Sequence, residues 1–381
     1  MARKIFYFMF CLAFLGGCAQ TKKKGGDHLY LLAGSYSDGT TSGISIFDFN
    51  MQTGEVNRVS DIKQVVNPSY LSVSRNEQMV YAVNETREGG VSAFKFDKIK
   101  GELSLVNNQE AYGASPCYIN ADKDRRFIIT ANYGGGNLSV FPLDKEGNIN
   151  PMSMNINMNE INPHISVDST PPRVSNMHAV VFSPNEKYLL ATDLGKDRIY
   201  MFEVMPKTNT DFLRYLPERS ITLEAGSGPR HLAFHPSGKY LYCINELSGD
   251  VAVMNYGVDQ PKVIQYVISD TTRTTRRRGS ADIHLTSDGR FLYASNRARA
   301  NDIAIYSVNP QTGLLSVAGH QTTGLHPRNF IITPNDKYLL CANMNSNQIQ
   351  IFEIDPVSGL LNDTGQEISI NRPVCLKWIW K

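Results

Sequence analysis

A unit of about fifty residues repeats along the chain, and this restricts the fold more than any other feature. It appears as "PSYLSVSRNEQMVYAVNE" from Pro68, "PCYINADKDRRFIITANY" from Pro116 and "MHAVVFSPNEKYLLATDL" from Met177. It returns as "GPRHLAFHPSGKYLYCINEL" from Gly228, "SADIHLTSDGRFLYASNR" from Ser280 and "PRNFIITPNDKYLLCANM" from Pro327. Each copy has a short alternating strand, a turn rich in Asn, Asp, Gly and Ser, and a second strand of Tyr-Leu-Leu-Cys-Ala type. That is the pattern of a β-hairpin. A third apolar strand follows, such as "NLSVFPLD" or "QIQIFEID", and then further strand-like material. Four strands per unit, with no long helical pattern, predict an all-β chain folded as a β-propeller. The chain ends on "RPVCLKWIWK", which matches only the first strand of a copy, while "LYLLAGSYS" and "GISIFDFN" near its start match the later strands. One blade shared between the two ends makes a seventh and closes the ring, which hides the sheet edges. The expectation is a seven-bladed propeller over residues 28–381, with four antiparallel strands per blade.

The segment ahead of the repeats sets an expectation about location. Arg3-Lys4 is followed by the apolar run Ile5 to Leu15, too short for an ordinary membrane-spanning helix. Leu15-Gly16-Gly17-Cys18 then resembles a bacterial lipobox, so residues 1–18 read as a lipoprotein signal peptide with Cys18 as the lipid attachment site. Residues 19–27, rich in lysine and glycine, read as a flexible tether. The protein is expected to be exported and held at a membrane, facing the periplasm or cell exterior, through that lipid anchor only. Cys117, Cys243, Cys341 and Cys375 lack metal-ligand or CxxC spacing and read as free, buried thiols. A formal net charge of +2 gives no support for nucleic-acid binding.

The first two strands of a blade are antiparallel, so residues before the first and after the second lie at one end of the channel. Aligned on the turn residues Asn76, Asp124, Asn185, Ser237, Asp288 and Asn335, the copies carry Ser69, Cys117, His178, Arg230, Ala281 and Arg328 before the first strand. After the second strand they carry Glu85, Tyr133, Leu194, Glu246, Arg297 and Met344. The residues between these positions hardly change in character. Asn84, Asn132, Asp193, Asn245, Asn296 and Asn343, which close the second strands, read as structural. Three arginines converging on one mouth point to an anionic ligand, because guanidinium binds carboxylate or phosphate oxygens bidentately. A ring of salt bridges between blades is the alternative. His231 lies beside Arg230, whereas His235 and His284 fall inside first strands and are expected to pack or donate locally. Two segments can reach the same rim: an insertion over residues 150–176, with His164 and Arg173, and the arginine run 273–280.

With those motifs in place, the chain resembles the propeller lactonases, the family of bacterial 6-phosphogluconolactonases, and is similar also to the fungal carboxy-muconate cyclases. The resemblance covers nearly the whole mature chain and is most specific in "GSGPRHLAFHPSGKYLYCINELSGDV", "ADIHLTSDGRFLYASNR" and "HPRNFIITPNDKYLLCAN". It implies catalytic roles for His178, Arg230, Glu246 and Arg297. Arg328, His231, Tyr133, Glu85 and Asn176 are then expected to bind substrate. One departure stands out: family members often read Pro-His-x-His where this chain has Ser175-Asn176-Met177-His178. The resemblance implies hydrolysis of a sugar lactone without metal or cofactor. An exported protein conflicts with a phosphorylated cytoplasmic substrate, so an unphosphorylated aldonolactone enters as a candidate. A tethered module binding anions or glycans, and a muconate-type cycloisomerase, remain alternatives. The chain has no P-loop, HExxH or GxSxG motif.

Overall fold

The computed structural model describes residues 26–161, 173–206, 211–272 and 278–381. Cys18 of the expected lipobox, His164 and the arginines at 273, 276 and 277 lie outside the described residues. Among the described residues there are seven antiparallel sheets, six of four strands and one of five. The first strands of blades 1 to 6 are Leu71–Val73, Pro116–Ala121, Met177–Phe182, Pro229–Phe234, Ser280–Leu285 and Pro327–Ile332. Blade 7 takes its first strand, Pro373–Trp380, from the end of the chain. Its other three, His28–Ser35, Ile44–Asn50 and Val56–Ile62, come from the start. Each first strand packs against the first strands on either side, so the seven together line the axis. The ring closes as the sequence predicts.

Burial explains why the strands differ in composition. Second strands such as Phe127–Asn132, Tyr240–Asn245 and Tyr338–Asn343 are buried along their whole length, because both faces meet neighbouring blades. Their near-continuous apolar runs follow from that. Fourth strands such as Glu102–Glu110 and Leu361–Ser369 lie at the rim and are mostly exposed. The core is therefore a set of wedges between blades. In one of them Phe127, Ile129, Leu138 and Val140 of blade 2 meet Val180, Leu189, Tyr200 and Phe202 of blade 3. Burying one such side chain stabilises by about 1.5–3 kcal/mol, more than a typical surface ion pair. Cys117, Cys243, Cys341 and Cys375 are free and buried.

Two expectations need correction. The stretch 150–176 is not wholly an insertion: Met154–Asn157 is the fourth strand of blade 2, paired to Asn137–Val140. Its short polar sequence hides the strand, since only Ile156 is buried there. Only Ser69 precedes its first strand; the variable residues of blades 2 to 6 lie inside theirs, on β-bulges.

Candidate active site

In blades 2 to 6 the pairing of first and second strands slips by one residue near its start. The unpaired residue is Cys117 in blade 2, His178 in blade 3, Arg230 in blade 4 and Arg328 in blade 6, and blade 5 slips across Ala281-Asp282. Blade 7 repeats the slip at Val374, between Pro373 and Cys375. A bulge bends its strand and re-aims the side chain it carries. Here it turns the extra residue toward the mouth of the channel.

A second device fixes the residue after each second strand. Its backbone N–H donates to the carbonyl of the residue two positions before the bulge. The pairs are Glu85 to Asn67, Tyr133 to Ser115, Leu194 to Asn176, Glu246 to Gly228, Arg297 to Gly279 and Met344 to His326. Blade 7 adds Tyr36 to Arg372 at 3.1 Å. Except for Asn176, each accepting residue has positive φ, a conformation suited to Gly and tolerated at a cost by Asn, Ser, His and Arg. The same backbone bond thus presents five kinds of side chain across the seven blades, Glu and Tyr twice each.

These devices bring His178, Arg230, Glu246, Arg297, Arg328, Glu85 and Tyr133 to one mouth. Glu246 Oε2 accepts from Arg230 Nε at 3.1 Å and lies 2.8 Å from Arg297 Nη2. Arg230 Nη1 also donates to the Ala281 carbonyl at 2.5 Å, and Arg297 Nε to the Gly279 carbonyl at 2.8 Å. Arg328 sits 3.8 Å from Glu85 Oε2 with its guanidinium over the Tyr36 ring. Tyr36 Oη donates to Glu85 Oε2 at 3.0 Å, and Arg372 lies over the same ring. Salt bridges between blades are therefore present, yet with the exposed Arg372 and the Asp282 carboxylate below Arg230 included, four guanidiniums meet only three carboxylates. One formal positive charge is left over.

Burial makes that excess strong. Arg230 is 2% exposed, and burial together with Arg297 and Arg328 lowers its guanidinium to about 10. Burial alone would raise the Glu246 carboxyl, but Arg297, Arg230 and Arg328 outweigh it and hold the group below its usual range. Tyr36 is pushed up to about 12, by burial first and by Glu85. His178 is buried, and its Nδ1 has no hydrogen-bond partner among the described residues. Burial, then Arg230, His231, Arg328 and Arg297, push its imidazolium well below the usual histidine range, so the ring is neutral.

The mouth has a closed floor. Tyr70 and Tyr118 stack at 3.9 Å, and the His231 ring meets both edge-on at 5.8 and 5.3 Å. Blades 1 and 4 stand on opposite sides of the ring, so this contact spans the axis. His231 Nδ1 is 2.7 Å from Asp282 Oδ1 and its Nε2 is 3.2 Å from Arg230 Nη1. Arginine only donates, so Nε2 presents its lone pair and Nδ1 carries the proton. Both nitrogens of His231 are thereby engaged within the protein. Asn176 is engaged as well, its amide donating to the Tyr133 carbonyl at 3.0 Å.

A family model described as "Lactonase, 7-bladed beta-propeller" matches residues 30–378. The chain belongs to this family. The propeller lactonases similar to it include a 6-phosphogluconolactonase of Formosa agariphila, 36% identical over 90% of this chain and 97% of that one. A crystal structure from Bacteroides fragilis, proposed to be a 6-phosphogluconolactonase, is 43% identical with a TM-score of 0.86, covering 93% of this chain and 98% of that one. The periplasmic gluconolactonase of Pseudomonas aeruginosa is 29% identical with a TM-score of 0.83, covering 92% and 99%.

Sequence comparison of the repeats misses Tyr36, His326, Arg372 and Asp282. Tyr36 follows the second strand of the split blade, and aligning "LYLLAGS" with the other second strands finds it. His326 and Arg372 occupy the pinned turn position, which only the backbone bond identifies. The His326 ring is pushed down to about 3 by burial and then by Arg297, Arg328 and Arg230, so it stands near all three.

Proposed function

We propose that this propeller lactonase hydrolyses an unphosphorylated aldonolactone at the channel mouth, outside the cytoplasm. The observation that carries the reading is a neutral histidine, its Nδ1 without a hydrogen-bond partner among the described residues, held beside a buried arginine cluster with one positive charge to spare. Ester hydrolysis generates one negative charge, first on the carbonyl oxygen of the tetrahedral intermediate and then on the product carboxylate. Arg230, Arg297 and Arg328 are proposed to hold that charge, and preorganised donors of this kind contribute up to about 100- to 1,000-fold each. His178 takes a proton from water as the oxygen bonds the carbonyl carbon. It returns the proton to the ring oxygen as the C–O bond breaks, so one water is added, and the new carboxylic acid releases its remaining proton to solvent. Glu246, ionised and paired to two arginines, orients those guanidiniums rather than serving as base.

His178 gains basicity when it is needed. The arginines that depress it in the free protein are neutralised as the oxyanion forms, so proton uptake and carbonyl attack assist one another. The choice of substrate follows from charge. A phosphorylated lactone brings about 1.5 to 2 further negative charges at neutral pH, more than the single surplus charge of the mouth balances. The gluconolactonase similar to this chain is described as periplasmic, in line with the lipobox at Cys18. Anchoring is proposed through Cys18, and Cys18→Ser should move the protein from the membrane to the soluble fraction.

The deciding experiment follows proton release by the purified protein on gluconolactone, its 6-phosphate and a muconolactone, with and without chelator. Hydrolysis of gluconolactone above the spontaneous rate is expected, resistant to chelator and preferred over the phosphate ester. His178→Ala should lower kcat about 100- to 10,000-fold with the fold retained. Gluconolactone untouched by the wild-type protein would overturn the reading in favour of a binding module.

A further inference from the structure

Arg230 is held from beneath by a buried hydrogen-bonded chain that belongs to no part of the chemistry above. Asp282, 1% exposed, is its hub. Oδ1 of this carboxylate faces His231 Nδ1 at 2.7 Å. Oδ2 meets three groups: His284 Nε2 at 3.0 Å, the Phe330 backbone N–H at 3.2 Å and the Asn329 side-chain amide. Asn329 is anchored in turn, its Oδ1 accepting from the Leu376 N–H at 2.7 Å. Blades 4, 5, 6 and 7 are thus tied through one carboxylate below the mouth.

We infer that Asp282 is a positioning residue for the reaction: it fixes His231 as the Nδ1–H tautomer, and the bare Nε2 of His231 then fixes the plane of the Arg230 guanidinium. The inference rests on the lactonase reading of the mouth. Asp282 acts through two intermediaries and touches no reacting atom. The division of labour between its oxygens makes the inference testable by an isosteric change. In Asp282→Asn the amide must present its oxygen to the two protein N–H donors on the Oδ2 side, Asn329 and Phe330. Its NH2 group then faces His231 Nδ1, which must become the acceptor. The ring proton moves to Nε2 and confronts an Arg230 N–H. Donor faces donor, and the guanidinium turns away from the line it shares with Arg297.

The experiment pairs nitrogen-15 histidine spectroscopy with steady-state kinetics on gluconolactone. Wild-type His231 should show a protonated Nδ1 and a bare Nε2, and Asp282→Asn should reverse them. With that reversal kcat should fall roughly 10- to 100-fold, less than deletion of an oxyanion donor costs, while KM stays within about 3-fold. His320→Ala, on the fourth strand of the same blade and bonded to Asp302, is outside this chain and should leave both tautomer and kcat unchanged. The inference is overturned by a wild-type Nε2–H tautomer, by reversal without loss of kcat, or by an equal loss in His320→Ala. Should Asp282→Asn fail to fold, the wild-type tautomer still decides. A wild-type protein with the expected tautomer but no turnover sinks the lactonase reading alone, and reversal with weakened gluconate binding would then report the positioning.

Discussion

Two imidazoles dominate the behaviour of the mouth at the scale of single residues. His178 and His231 are both buried and both held neutral, His231 at about 3 and His178 well below its usual value. Burial is the first cause for each, and Arg230 adds to it. The sign of the pH dependence follows. The unfolded chain takes up protons near pH 6.5, whereas the folded protein does so only far lower, so stability is full above that pH and falls as pH drops through it. Each fully neutral histidine contributes about 1.4 kcal/mol per unit well below pH 6.5. Urea unfolding should therefore give a stability lower at pH 5.5 than at pH 7 by about 2 to 3 kcal/mol from these two rings, with the part-buried His326 adding in the same direction. His320 works in the other direction through Asp302, but it lies at the outer rim. A flat profile between those pH values would mean that the two rings are charged in the folded state. The same neutrality bears on catalysis. kcat/KM, which reports the free protein, should stay level from pH 8 down past 6, and kcat should follow it, because the bound lactone is uncharged and leaves the arginines that hold His178 down unneutralised.

Among the elements, the pinned turn before each bulge does most to convert a repetitive scaffold into a specific site. Gly228 shows what that turn requires. Its φ is +65°, its carbonyl accepts from the Glu246 N–H at 2.8 Å, and a Cβ there would collide with the Leu247 side chain. Gly228→Ala should cost about 1–3 kcal/mol and lower kcat as well, since Glu246 shifts with the turn. Gly226→Ala makes the control, because Gly226 has φ +87° but open space around it. Thermal melts and kcat of the two variants should separate backbone strain from displacement of Glu246. This level of organisation was partly legible in the sequence. The hairpins are encoded locally by alternation and turn residues, so six repeats could be aligned and His178, Arg230, Glu246, Arg297 and Arg328 located by their variation. The bulge itself was not legible, since an extra residue in one strand leaves the alternation of the short first strands nearly intact. Tyr36 escaped because its blade is split between the ends of the chain. Asp282 escaped because its meaning lies in partners from blades 4 and 6, and the sequence shows nothing of the His231 ring's two bonds, Nδ1 to Asp282 and Nε2 to Arg230.

The whole molecule depends on how the ring closes. Blade 7 joins Pro373–Trp380 to His28–Ser35 through a register running from Leu29 opposite Trp380 to Gly34 opposite Cys375. The closing strand is also bonded sideways into both neighbours. Trp378 Nε1 donates to the Ile332 carbonyl at 3.0 Å, and the Leu71 N–H donates to Cys375 Sγ at 3.3 Å. In blades 1 to 6 the equivalent pair is one covalent hairpin, turned by residues such as Ser237 or Asp288. Only in blade 7 is that connection replaced by non-covalent pairing. Because the partner strands are antiparallel, Lys381 ends beside the start of the His28 strand, and a short Asn-Gly turn between Lys381 and Asp27 would restore the hairpin. A circular permutant made this way, opened at the exposed Ile99-Lys100 turn of blade 1, should fold with the same mouth and comparable kcat. Its Tm should lie within a few degrees of the natural order, because loop closure changes only logarithmically with length. Deletion of residues 373–381 should instead leave the His28–Ser35 edge of blade 7 unpaired and uncover the first strands of blades 1 and 6, giving aggregation in place of a cooperative melt. If the deletion melts like the intact protein, the seventh blade is not what holds the ring. If the permutant fails while the deletion also fails, closure depends on the native order of the strands as well as on their pairing.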